Sequence, residues 1–179
     1  QKCLGSEMKG DALKIEAIRN ALPDKYKDIK LTDDDFVDAL YSLLYDRDAP
    51  VITIMGAGGT GKSFMYKVYT SSFKRILCTA TTGIAAFNLA RDGIPAMTLH
   101  SALKIKPEPW YDEQSSAAFM DVFDKYDELF IDEVSMLNAN MLDFILNKAK
   151  IENRDREEKR NKPIFRVVLF GDTLQLPPV

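Results

Sequence analysis

The feature that most constrains this chain is a glycine-rich octapeptide that directly follows a short β-branched run. The run, Val51–Met55, has the length and composition of a buried parallel strand. The octapeptide then follows the pattern G-x-x-x-x-G-K-S, and its residues are Gly56, Ala57, Gly58, Gly59, Thr60, Gly61, Lys62 and Ser63. At a junction between a strand and a helix, this pattern predicts a loop whose backbone N–H groups bind phosphate, aided by the positive end of the helix.

The last two residues of the octapeptide carry side-chain chemistry. Lys62 is expected to reach the β- and γ-phosphates of a nucleotide, and the Ser63 hydroxyl is expected to hold Mg²⁺. ATP with Mg²⁺ is therefore the predicted ligand. The motif does not by itself say which reaction uses the nucleotide.

A second acidic motif follows about 70 residues later. Asp132 and Glu133 come directly after the apolar run Leu-Phe-Ile, so they are expected at the carboxyl end of a buried strand. In open parallel sheets this end faces the ligand crevice. Asp132 is therefore predicted to hold Mg²⁺ opposite Ser63, and Glu133 to orient and deprotonate an attacking water.

The remaining pattern predicts an α/β fold. Apolar runs resembling strands alternate with segments of helical periodicity, which is typical of a parallel β-sheet flanked by helices. The predicted strands after Val51–Met55 are Arg75–Ala80, Glu128–Ile131 and Phe165–Phe170. Helices are predicted over Ile84–Leu89, around 117–123, and along Leu137, Met141, Leu142 and Ile145.

Residues 1–50 are predicted to be a helical N-terminal extension. Thr32 is expected to cap a helix whose first turn carries Asp33, Asp34 and Asp35, because hydroxyls and carboxylates stabilise helix N-termini. Near the other end, residues 151–162 are so rich in charge that they predict a solvated helix end and loop.

Charge, cysteine content and apolar runs limit the kinds of partner and the cellular location that this chain is expected to have. The net charge is -3, which argues against a protein that is basic over its whole surface, yet residues 51–110 hold seven basic and two acidic side chains. The two cysteines, Cys3 and Cys78, have no zinc-like spacing, and an intracellular location is therefore expected. Because no run of 18 apolar residues occurs, no membrane partner is predicted.

The start at Gln1 and the end at Val179, just after a strand-like run, indicate a fragment of a longer protein.

Five strings in fixed order resemble the motor motifs I, Ia, Ib, II and III of the Pif-type DNA helicases of superfamily one, with RecD and Dda helicases as close relatives. The resemblance covers residues 51–179 and implies the first RecA-like motor domain, a P-loop NTPase fold. The strings are GAGGTGKS, TATTGIAA (79–86), TLHS (98–101), IDEVSM (131–136) and GDTLQLPPV (171–179). Thr81 stands where proline is frequent in the family.

The resemblance also implies roles for individual residues. Lys62, Glu133 and Gln175 correspond to catalytic positions, and Gln175 to the one that senses the γ-phosphate and links hydrolysis to strand movement. Single-stranded DNA is the implied partner of Thr82, Gly83, His100 and Ser101. Contacts of this kind bind backbone phosphate and carry no sequence specificity. Trp110 and Tyr111 follow two lysines, but packing of a loop is the better explanation for them than base stacking.

The implied activity is that of an ATP-dependent 5′-to-3′ DNA helicase that couples hydrolysis to movement along one strand and to duplex unwinding. The second motor domain, with motifs IV, V and VI, is absent from this chain, so weak hydrolysis is expected from the fragment alone. Two alternatives remain open. One is a P-loop translocase or nucleoprotein remodeller that does not unwind DNA, and the other is a non-catalytic docking module.

Overall fold

The computed structural model describes residues 4–56, 61–106, 112–160 and 162–172. These ranges contain five strands and seven α-helices; two of the helices precede the first strand. The strands are β1 (Val51–Met55), β2 (Ile76–Ala80), β3 (Ala96–Thr98), β4 (Glu128–Asp132) and β5 (Arg166–Gly171). The helices are α1 (Leu4–Ala21), α2 (Asp34–Tyr45), α3 (Lys62–Ser72), α4 (Gly83–Arg91), α5 (Leu99–Leu103), α6 (Glu113–Lys125) and α7 (Ala139–Asp155).

The strands form one parallel sheet with the order β1-β5-β4-β2-β3. Each pair is parallel, and the pairs are β1 with β5, β5 with β4, β4 with β2, and β2 with β3. The prediction of a parallel sheet with flanking helices is confirmed. The three-residue edge strand β3 was not predicted, because Ala-Met-Thr is too short to show a strand pattern.

One face of the sheet packs on α5, α6 and α7. The strands contribute Leu77, Leu129, Ile131, Val167 and Leu169 to this core. The helices contribute Leu103, Phe119, Phe123, Met141 and Ile145. Burying each of these large side chains contributes about 1.5–3 kcal/mol, so the core fixes the strand ends that carry the motifs.

Helices α1, α2 and α3 belong to one compact unit, and the five strands with α4–α7 belong to a second. Within the first unit, the Phe36 and Phe64 rings stack at 6.3 Å between centroids, and the Tyr45 hydroxyl donates to the Ala17 carbonyl at 2.8 Å. The side chain of Arg47 lies 5.1 Å from the centre of the Phe73 ring. The Tyr45 bond joins α2 to α1, and the two aromatic contacts join α3 and the residue after it to α2 and its flanking residues.

The cap of α2 differs from the prediction by one residue. The carboxylate of Asp33, not the hydroxyl of Thr32, accepts the N–H of Phe36 at 2.8 Å, and the helix begins at Asp34. A carboxylate serves this position as well as a hydroxyl does, since either oxygen satisfies an unpaired N–H group of the first turn.

The prediction that the charged stretch 151–162 is a solvated helix end and loop is wrong for part of its length. Helix α7 continues to Asp155 and passes into a π-helical turn, Arg156–Arg160. The Arg156 side chain is fully buried, and Glu152 is 6% exposed. The two side chains compensate each other, because Arg156 Nε donates to Glu152 Oε1 at 2.8 Å.

None of the helices in the described residues is both long and apolar enough to span a membrane.

Candidate active site

The predicted functional strings of the second unit begin where the strands of the sheet end. Met55 pairs with Gly171, and Ala80 pairs with both Asp132 and Thr98. Since all strands are parallel, these ends lie on one edge of the sheet, where open α/β folds bind ligands. The sheet therefore brings motifs Ia, Ib and II, and the first residues of motifs I and III, to a common edge.

Gly56, the first residue of the glycine-rich loop, is tied to motif III. Its N–H donates to the Gly171 carbonyl at 3.1 Å. A Cβ on Gly171 would lie 2.8 Å from Met55 Cε and Sδ and 3.1 Å from Val134 Cγ1. A side chain at position 171 would therefore force the Met55 side chain to move and would press on Val134, the residue after Glu133.

The far end of the loop lies in the first unit, at the start of α3. Gly61 has φ 84°, a left-handed conformation that favours glycine, and its carbonyl accepts the N–H of Met65 at 2.9 Å. Lys62 and Ser63 are the first two residues of the helix, where Lys62 is half-buried and Ser63 is exposed. Residues 57–60, with Ala57, Gly58, Gly59 and Thr60, lie outside the described residues.

The two carboxylates of motif II have different backbone environments. Asp132 is the last residue of β4, whereas Glu133 has φ 57° and ψ 42° and precedes a short 3₁₀ turn. Among the described residues that are not glycine, only Lys104 and Glu133 have positive φ. Such a conformation costs about 1–3 kcal/mol and is concentrated at functional sites.

Motif Ia contacts motif II through two threonines. The Thr79 hydroxyl donates to the Phe130 carbonyl at 2.7 Å, and the Thr81 hydroxyl donates to the Glu133 carbonyl at 3.0 Å. The Thr81 N–H also donates to the Asp132 carbonyl at 3.2 Å. Sequence reasoning assigned no role to either hydroxyl, because nothing in the sequence shows that β2 and β4 are neighbours.

The predicted DNA-contacting residues occupy two helix starts. The Thr82 hydroxyl caps α4 by accepting the N–H of Ala85 at 3.2 Å, and Gly83 is the first residue of that helix. Thr98 caps α5 in the same way, with its hydroxyl 3.2 Å from the N–H of Ser101. Within α5, His100 is half-buried and Ser101 is exposed.

Several predicted residues lie outside the part of the chain that the structure describes. They are Gln175 of motif III and the aromatic pair Trp110 and Tyr111.

The residues that the sequence assigns to Mg²⁺ have, each by itself, the oxygen chemistry that this ion prefers. The described residues contain no group of three or more His, Cys, Asp or Glu side chains that could hold a metal. Mg²⁺ usually keeps several waters and takes one or two protein ligands together with substrate phosphates. The exposed Ser63 hydroxyl and the half-buried Asp132 carboxylate have this hard oxygen chemistry.

The cysteine of β2 has no place in this chemistry. Cys78 is buried, and burial together with the carboxylates of Glu128 and Asp132 raises the pKa of its thiol to about 12. It is therefore protonated at neutral pH and behaves as a small apolar side chain.

A parallel sheet of this order, a glycine-rich loop after β1 and a carboxylate pair after β4 define the class of RecA-like P-loop NTPases. Within that class, the family model described as PIF1-like helicase matches residues 31–179. The chain belongs to the PIF1-like helicase family.

Individual relatives agree with the family. The chain is 31% identical over 139 residues to the ATP-dependent DNA helicase PIF1 of Saccharomyces cerevisiae (strain YJM789), an alignment that covers 69% of this chain and 15% of that protein. It is 32% identical over 135 residues to the ATP-dependent RecD2 DNA helicase of Deinococcus radiodurans, covering 72% and 16% of the two chains.

A solved structure agrees as well. The crystal structure of Pif1 helicase from Bacteroides in complex with ADP-AlF3 and single-stranded DNA has 30% sequence identity to this chain and a TM-score of 0.57. The match covers 85% of this chain and 34% of that one. The chain thus spans about a third of the solved helicase and about a sixth of the curated relatives.

Proposed function

We propose that this chain carries the ATP-binding motor domain of an ATP-dependent DNA helicase. The observation that carries the proposal is the meeting of motifs Ia, Ib and II with the first residues of motifs I and III at one edge of a RecA-like sheet. Membership of the PIF1-like helicase family supports the same reading. Residues 51–179 are the proposed motor domain, and residues 1–50 are its helical N-terminal extension.

The proposed nucleotide site runs from Gly56 to Ser63. Backbone N–H groups of the loop bind the phosphates, and Lys62 contacts the β- and γ-phosphates. Ser63 and Asp132 are the proposed protein ligands of Mg²⁺, which neutralises charge on the phosphates when it is bound. The left-handed backbone of Glu133 and its paired carbonyl support a precisely held carboxylate, as expected of a residue that orients and deprotonates the attacking water.

The proposed path for single-stranded DNA crosses the starts of α4 and α5. Thr82, Gly83, His100 and Ser101 are its proposed contacts, and the pairing of Ala80 with Thr98 supports their proximity. N–H groups at helix starts and exposed hydroxyls suit backbone phosphate, so binding is expected to be independent of sequence. Gln175 is the proposed link between the γ-phosphate and movement of the strand.

In the longer protein, a second motor domain is the proposed partner. ATP would bind between the two domains and draw them together, and hydrolysis would release them and step the protein along DNA in the 5′-to-3′ direction. That direction rests on the family alone. Because an arginine finger contributes about a thousandfold or more in rate where one acts, slow hydrolysis is expected from this chain by itself.

The test measures ATP hydrolysis by the full-length protein with and without single-stranded DNA, and then unwinding of duplexes with a 5′ or a 3′ overhang. The helicase proposal expects DNA-stimulated hydrolysis and unwinding of the 5′-tailed duplex. Stimulated hydrolysis without strand separation would indicate a translocase instead. Absence of both ATP hydrolysis and duplex unwinding would indicate a docking module.

A further inference from the structure

The carbonyl of Glu133 is held by two hydrogen bonds in spite of the residue's unusual backbone. It accepts the N–H of Met136 at 2.9 Å, within its own 3₁₀ turn, and the Thr81 hydroxyl at 3.0 Å, from the neighbouring strand end. The first bond is local and belongs to the turn. The second bond connects the Glu133 carbonyl to the residue that follows the neighbouring strand β2.

Thr81 uses both of its donors on consecutive carbonyls of motif II. Its N–H bonds to Asp132 and its hydroxyl to Glu133, at the point where the pairing of Ala80 with Asp132 ends the β2–β4 ladder. The backbone bond continues the ladder by one step. The hydroxyl then extends it by one more step, onto a residue whose left-handed conformation takes it out of the regular strand.

We infer that Thr81 is a positioning residue for Glu133. Its hydroxyl fixes the peptide plane that follows Glu133, which selects the left-handed backbone and so sets the direction of the carboxylate. The inference rests on the proposed role of Glu133 in orienting water. Misplacement of a catalytic group by about 1 Å can reduce the rate about a hundredfold. Loss of this one hydroxyl is therefore expected to lower kcat strongly.

The chain offers a matched control two residues away. Thr79 lies on β2, whereas Thr81 follows that strand; Thr79 is fully buried and donates its hydroxyl to a β4 carbonyl, that of Phe130, at 2.7 Å. Each threonine donates its hydroxyl to a backbone carbonyl, Thr79 between β2 and β4 and Thr81 just beyond the ends of these two strands. They differ in that Thr81 acts on Glu133, whereas Thr79 acts on a core residue.

The experiment compares full-length wild-type protein with Thr81→Val, Thr81→Ser and Thr79→Val. It measures kcat and KM for ATP at saturating single-stranded DNA, the Kd of a fluorescent ATP analogue, and the melting temperature. Valine preserves the shape of threonine and removes the hydroxyl, and serine keeps the hydroxyl. Thr81→Ala is the second variant if valine prevents folding.

The expected result is a 10- to 100-fold lower kcat for Thr81→Val, with KM and the nucleotide Kd within about threefold of wild type. Thr81→Ser is expected to restore kcat to within about threefold. Thr79→Val is expected to lower the melting temperature and leave kcat within about threefold.

Three results overturn the inference: an unchanged kcat in Thr81→Val, an equal loss in Thr81→Ser, or an equal loss in Thr79→Val. The two proposals fail in different ways. Wild-type protein that shows no DNA-stimulated hydrolysis overturns the proposed function and the inference together, whereas active wild-type protein that is matched by Thr81→Val overturns the inference alone.

Discussion

Arg156 donates to Asp127 at 2.9 Å across 29 residues of sequence, and the guanidinium that makes this bond is fully buried. The same guanidinium donates to Glu152 Oε1 and lies 5.3 Å from the centre of the Phe165 ring. It also reaches three backbone carbonyls, those of Phe123, Tyr126 and Pro163. One side chain therefore joins the end of α6, the start of β4, the end of α7 and the approach to β5.

Replacing Arg156 with methionine is expected to destabilise the chain by about 3–5 kcal/mol, because it leaves the carboxylates of Glu152 and Asp127 without their buried partner. Urea unfolding measures this change in the free energy of unfolding. The control is Lys159→Met in the same π-helical turn, where the side chain is 70% exposed and a loss below about 1 kcal/mol is expected. Equal losses in the two variants would contradict the prediction.

Asp127 is expected to make stability depend on pH. Burial raises the pKa of its carboxyl, but hydrogen bonds from Arg75 and Arg156 outweigh burial and hold the pKa below its ordinary value. Because the pKa is lower in the folded chain than in the unfolded one, the stabilisation is complete above about pH 4 and is lost as the pH falls through the folded-state pKa.

The measurement is the free energy of unfolding of wild type and Asp127→Asn between pH 7 and pH 3. The difference between the two proteins is expected to shrink toward the acidic end. A difference that stays constant over this range would show that Asp127 does not titrate with folding.

Adding a methyl group at Gly171 is expected to destabilise the chain by about 1–3 kcal/mol, because the new Cβ would overlap Met55 and approach Val134. Part of the loss should be recovered in the double variant Gly171→Ala/Met55→Ala, since the overlapping atoms belong to the Met55 side chain. Gly83→Ala is the matched control, because no atom lies within 4 Å of a Cβ added there. Thermal unfolding of the four proteins tests this, and equal melting temperatures for the two single glycine variants would refute it.

Removing the Lys62 ammonium is expected to weaken Mg²⁺-dependent nucleotide binding about 10- to 100-fold, since a hydrogen bond to a charged group is worth about 1.5–3 kcal/mol. Fluorescence titration of Lys62→Ala with an ATP analogue measures the change in Kd. Lys67→Ala removes a lysine from the same helix outside the motif and should bind as wild type does. Equal Kd values for wild type and Lys62→Ala would mean that the loop does not bind nucleotide in the proposed way.

Four of the five strands could be predicted from sequence because each is a run of mostly apolar or β-branched residues, whether it lies inside the sheet (β2, β4 and β5) or at its edge (β1). Val51–Met55 was predicted with its bounds, but as a buried strand, whereas it lies at the edge of the sheet and alternate residues are exposed. The run that begins at Glu128 was predicted to within one residue at its end. The other edge strand, β3, spans only three residues, so it lacks the apolar run by which the longer strands are recognised. Local capping chemistry likewise fixed the start of α2 to within one residue.

The environment of the buried charges could not be predicted, because their partners are distant in sequence. Charge density in 151–162 indicated solvent, yet Arg156 is buried because Asp127 and Glu152 lie against it. The same limit applies to the candidate site. The motifs identified Glu133, but its left-handed backbone and its bond from Thr81 depend on β2 and β4 being neighbours.

The pairing of Ala80 with Asp132 on one side and with Thr98 on the other has a mechanical consequence. Adjacent strands lie about 4.8 Å apart, so two strand spacings, about 10 Å, separate the last residue of β4 from the last residue of β3. Asp132, a proposed Mg²⁺ ligand, and Thr98, which caps the helix with the proposed DNA contacts, therefore lie at the same level of the sheet, on either side of Ala80. The backbone hydrogen bonds of β2 connect these two strand ends directly, so the proposed ATP and DNA contacts would be linked without a long chain of intervening residues.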